Sequence, residues 1–271
     1  MTTSYNPQYD NNRDDEEPPE EKNEAQIQQL TAQSLSVLPK TKQATSNSLI
    51  HSLSSKQKNK SNISTVEKII SITPTCYLKP KAFFVAWNSV ITLVFTGWPE
   101  PIDTMKSELS SQVNICKEMF GSKFPKITLA CVKDGFEMTP KLLKQIRNLC
   151  QNFVIPKDYV LCMDSLSIVL YENRSQESII YEKVVPLKRN HKFMGSPNLL
   201  KLEMEEDNDS PYLRSGNRTS HYRSLHVGSS IVYKLYPSIP KWITDFQSKL
   251  PQDVFDTFSK DSLHITVRAL T

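Results

Sequence analysis

The sequence predicts an α+β fold that begins near residue 66, behind a disordered polar tail. Residues 1 to about 65 nearly lack aromatic and β-branched clusters. Beyond them, strand-like and helix-like segments follow one another without the regular βαβ order of a doubly wound sheet. A strand–helix–strand frame also occurs twice at one fixed spacing.

The tail contains an acidic block, NNRDDEEPPEEKNE, and a basic polar one, SLSSKQKNKSNIS. Such composition buries too little apolar surface to offset chain entropy. Two blocks of opposite sign also make the tail a candidate tether for a protein partner, against the plainer reading of a solvated tail. Order is expected from STVEKIISITPTCYLKP onward. AFFVAWNSVITLVFTGWPEP is dense in β-branched and aromatic residues and reads as strand. IDTMKSELSSQVNICKEMF places Ile102, Met105 and Leu109 near helical spacing. KITLACV is a short apolar strand. MTPKLLKQIRNLCQNF opens as a helix, with Thr139 as N-cap, Pro140 in the first turn, and Leu142, Leu143, Ile146 and Leu149 on one face. DYVLCMDSLSIVLYE and SIIYEKVVPL read as strands. From about 188 to 227 the chain turns polar, which predicts a functional or disordered insertion. SSIVYKLYP, SIPKWITDFQSKL and LHITVRAL close the chain as strand, amphipathic helix and strand.

At 271 residues, with 38 % hydrophobic and 23 % charged residues and a net charge of +4, the chain is too weakly basic to declare a nucleic-acid partner by charge alone. Its mean hydropathy is −0.44. The most apolar stretch, Ala82 to Phe95, is broken by Asn88, Ser89 and Thr92, so no membrane partner or span is expected. Five scattered cysteines without CxxC spacing fit reduced thiols of a cytoplasmic or nuclear protein. Only 6 glycines, with no glycine-rich phosphate loop and no His/Cys ligand spacing, lead to the expectation of no cofactor and no metal.

The repeat carries the chemistry. An offset of 138 takes Lys126-Ile127-Thr128-Leu129 to His264-Ile265-Thr266-Val267, Trp98-Pro99 to Tyr236-Pro237, and Leu93-Val94-Phe95 to Ile231-Val232-Tyr233. Both copies read strand, aromatic–proline, helix, loop, and a strand opening on a polar residue followed by Ile-Thr. This frame resembles the two-histidine (2H) phosphoesterase superfamily of 2′-5′ RNA ligase-like and cyclic phosphodiesterase-like proteins, over roughly Phe83 to Leu270. LHITV matches the family pattern. FPKITLACV departs from it, with Lys126 where the resemblance implies histidine.

The resemblance implies two pseudo-symmetric lobes of antiparallel sheet with outer helices, and an RNA end or small cyclic nucleotide as ligand. It gives His264 an acid/base role and makes Thr266 and Thr128 a phosphate clamp. Two imidazoles suit such chemistry because one can be neutral and one charged near neutrality. A lysine titrating at about 10.4 is instead a cation, so Lys126 is expected to bind phosphate as a point charge or serve as a poor general acid. Arg268, two beyond Thr266, is expected on the same face. The expected function is thus phosphate binding with weak or absent phosphodiester hydrolysis. The alternative is a non-catalytic scaffold in which His264 is a hydrogen-bonded strand residue and Lys126 a solvated edge lysine. RSGNRTSHYRSLHVGSS offers Arg214, Arg218, His221, Arg223 and His226 around Tyr222. It reads as a flexible loop in preference to a nucleic-acid groove or the source of a substitute histidine.

Overall fold

The computed structural model describes residues 58–87, 89–113, 115, 124–189 and 217–271. The expected tail up to residue 57, Cys116, Arg214 and the middle of the expected insertion lie outside the described residues. Lys58–Ile72 forms helix α1. Its last two turns bury Val66, Ile69 and Ile70, enough apolar surface to carry the polar first turns into the helix.

The fold is α+β, built on a large antiparallel sheet. Its strands are β2 (Pro80–Ala86), β3 (Val90–Phe95), β4 (Lys126–Val132), β6 (Ser165–Tyr171), β7 (Ile179–Pro186), β8 (Gly228–Lys234), β9 (Phe255–Thr257) and β10 (His264–Ala269). They lie in the order β2-β3-β4-β10-β8-β6-β7, with β9 alongside the far half of β4. A separate ribbon joins β1 (Cys76–Leu78) to β5 (Leu161–Met163). Helices α2 (Glu100–Gln112), α3 (Pro140–Asn152) and α5 (Lys241–Gln247) follow β3, β4 and β8. Thr139 caps α3 as expected, its Oγ1 accepting the Leu142 amide at 3.3 Å.

Alternation decides the two faces. Ile127, Leu129, Ile265 and Val267 join Ile102, Met105 and Leu109 of α2, Ile146 of α3 and Phe246 of α5 in the main core. Phe83 stacks on Phe246 at 3.6 Å between ring centroids. Phe84, Ala86, Val90, Val94 and Phe124 form a second, smaller cluster. Lys126, Thr128, His264 and Thr266 alternate with the core residues and are only partly covered.

β4 and β10 are neighbours in mid-sheet, antiparallel, with Ile127 opposite Ile265. Each has a register shift directly after its threonine: the β3–β4 ladder skips Leu129 and the β8–β10 ladder skips Val267. The fixed spacing does not extend to the preceding strands. Leu93 faces Ile127 and Tyr233 faces Ile265, so β3 and β8 correspond two residues away from the alignment expected at 138. A two-residue slip keeps every side chain on its face.

Candidate functional site

Register brings the motif residues together. With Ile127 opposite Ile265, antiparallel pairing sets Lys126 beside Thr266 and Thr128 beside His264. All four line one cavity of about 260 Å³. That is just below the usual range of small-molecule sites, which starts at about 300 Å³. Among the described residues no carboxylate lines it, whereas Lys126 and Arg174 both do. A pocket lined by cations and hydroxyls suits an anion.

His264 Nδ1 lies 2.6 Å from the Ser262 carbonyl. A carbonyl only accepts, so Nδ1 carries the proton and Nε2 keeps the lone pair. Burial, reinforced by the Lys234 charge and opposed by the Ser262 bond, pushes the His264 pKa down to about 4. The ring is therefore neutral near pH 7 and available as a base. Lys126 Nζ stands 4.4 Å from the Phe124 ring centroid and 4.9 Å from that of Trp87. The two aromatic faces attract the ammonium and direct it. Trp87 also lines the cavity, with φ of 48°, a left-handed backbone that its side chain disfavours.

Arg268 is the exception among the expected site residues. The bulge at Val267 reverses the alternation, so Ala269 lines the cavity and Arg268 is buried on the helical face, 2 % exposed. Its Nη2 reaches Ser110 Oγ of α2 at 3.5 Å. The expected cationic strip along β10 is therefore not formed.

The segment read as a flexible loop is instead a fixed wall where it is described. Helix α4 (Thr219–Arg223) is held from both ends. The Ser220 amide and hydroxyl donate to Asp134 at 3.0 and 2.9 Å. Arg218 donates to the Lys133 and Phe136 carbonyls, and Thr219 to Asp256. Arg223 forks onto Glu177 at 2.8 and 3.2 Å. Burial raises the Glu177 pKa, but the Arg223 and Ser259 hydrogen bonds outweigh it and hold the carboxylate below its ordinary range. Thus Arg218 and Arg223 are structural, and His226 does not line the cavity, whereas His221 and Tyr222 do. Gly228 leaves room for the Tyr171 ring of the same cavity: a Cβ there would meet Tyr171 Oη at 2.7 Å.

No protein-family model matches this chain, and neither a curated protein nor a solved structure does. Sequence reasoning missed Trp87, Arg174 and Gln176, which sit in short turns between strands. Their polar or aromatic character was visible, but no periodic pattern assigns a turn residue to a face. Among the described residues no cluster of His, Cys, Asp or Glu could hold a metal ion, and no helix is long and apolar enough to cross a membrane.

Proposed function

We propose that the cavity is a phosphate cleft of the two-histidine phosphoesterase kind. It binds an RNA end or a nucleoside 2′,3′-cyclic phosphate and hydrolyses it slowly. The observation that carries the reading is the convergence of Lys126, Thr128, His264 and Thr266, from two distant segments, on one cavity that no carboxylate lines among the described residues. Local symmetry adds support. Ile127 pairs with its own repeat mate Ile265, and the bulges at Leu129 and Val267 are also mates. On this reading the sheet is two lobes about a pseudo-two-fold axis through the Ile127–Ile265 pair.

The chemistry follows from protonation. Water attacks phosphorus and gives its proton to His264 Nε2. The bond from phosphorus to the leaving ribose oxygen breaks, and Lys126 Nζ protonates that oxygen. The Thr128 and Thr266 hydroxyls donate to the phosphoryl oxygens and hold the in-line geometry. His264 is not tuned to neutrality. A base with a pKa of about 4 is always ready but weak, and an ammonium gives up its proton reluctantly. Brønsted behaviour then makes turnover slow.

Calorimetry with adenosine 2′,3′-cyclic phosphate tests the reading. Binding should be weak, fall with added salt, and drop about tenfold in Lys126→Ala, the loss of roughly 1.4 kcal/mol of charge-assisted contact. Absence of binding by the wild type, with the protein folded, refutes it.

A further inference from the structure

A second donor wall lies in the same cavity, on elements the motif strands do not supply. Arg174, in the turn between β6 and β7, and His221 of α4 both line it. Arg174 Nη1 stands 3.1 Å from His221 Nδ1. A guanidinium only donates, so His221 Nδ1 accepts and Nε2 carries the ring proton. Among the described residues no carboxylate pairs with Arg174, in contrast to Arg223, which Glu177 engages with both oxygens. The Asp134, Asp256 and Glu177 contacts fix α4 and therefore His221, on which Arg174 rests.

Gln176, two residues from Arg174, is 4 % exposed yet lines the cavity. Its φ of 56° is left-handed, a conformation disfavoured for a non-glycine residue. Its Nε2 donates to Ser230 Oγ at 3.2 Å, while Oε1 has no hydrogen-bond partner among the described residues. That unpartnered acceptor is buried beneath the turn rather than open to the cavity.

We propose that Arg174 and His221 form a second anion subsite, so that the preferred ligand is a nucleotide bearing two phosphates. One is the terminal cyclic phosphate at Lys126, Thr128 and Thr266. The other is the phosphate on the 5′ oxygen of the same nucleoside, as at the 3′ end of an RNA chain. The inference rests on the phosphate-cleft reading above and narrows its ligand from a free cyclic nucleotide to a chain end.

The experiment compares adenosine 2′,3′-cyclic phosphate with and without a 5′-phosphate, by calorimetry on the full chain, in the wild type, Arg174→Gln and Arg174→Lys. The 5′-phosphate should tighten wild-type binding about tenfold or more, the scale of one charge-assisted contact. Arg174→Gln should erase that gain and retain less of it than Arg174→Lys. Equal affinity of the wild type for the two ligands, or a gain surviving Arg174→Gln, overturns the second subsite while leaving the first intact. Binding of neither ligand overturns the cleft itself, and the second subsite with it.

Discussion

Replacing His264 by glutamine removes a buried titration whose weight can be worked out. Burial and the Lys234 charge hold the ring's pKa near 4, against the 6.5 of a free imidazole. Between those values the unfolded chain binds the proton and the folded chain does not, so stability falls as pH falls. It is fully present above about 6.5 and is lost down to about 4. At 1.36 kcal/mol per pKa unit, His264 alone withdraws about 3 kcal/mol between about pH 7 and pH 4. Glutamine keeps an N–H for the Ser262 carbonyl but does not titrate there. Urea unfolding of both proteins along a pH series cancels the other ionisable groups by difference. The wild type should lose about 3 kcal/mol more than His264→Gln on acidification to about pH 4. Parallel stability curves would show that the folded ring titrates normally. The neutral, desolvated base would then be lost from the account.

Two further outcomes are expected. Gly228→Ala drives a Cβ into the Tyr171 ring, with atoms at 2.7–2.9 Å. It should cost about 1–3 kcal/mol, a fall of roughly 2–12 °C in Tm by thermal scan, and should weaken nucleotide binding because Tyr171 lines the cavity. Lys126→His restores a second imidazole beside Thr266 and should raise cyclic-phosphate hydrolysis about 10²-fold or more, measured by product formation. Adding His264→Ala should abolish that gain, and a gain that persists would remove His264 from the mechanism.

What could be read from the sequence was whatever obeys local periodicity. Lys126, Thr128, His264 and Thr266 alternate with Ile127, Leu129, Ile265 and Val267, so their shared face followed from the two-residue period of a strand. The Thr139–Pro140 start of α3 was visible for the same reason, since a cap is a local device. Arg268 was misplaced because the bulge at Val267 depends on pairing with β8, and nothing in HITVRA announces it. The slip of β3 against β8 belongs to the ladders with β4 and β10, which a gapless comparison cannot see. Helix α4 has only five residues and is held by Asp134, Asp256 and Glu177, residues distant in sequence, so its own segment reads as loop. Trp87 and Gln176 take left-handed backbones that only tertiary packing imposes.

The central claim is that the face shared by β4 and β10 holds a phosphate. Its most direct test is a crystal structure of the wild type soaked with adenosine 2′-phosphate, one of the two products that cyclic-phosphate hydrolysis can give. The account predicts the phosphate between the two strands, with Thr128 and Thr266 hydroxyls and Lys126 Nζ each within about 3 Å of its oxygens. Nucleotide bound only elsewhere, with this cleft holding no phosphate at saturating ligand, would contradict it.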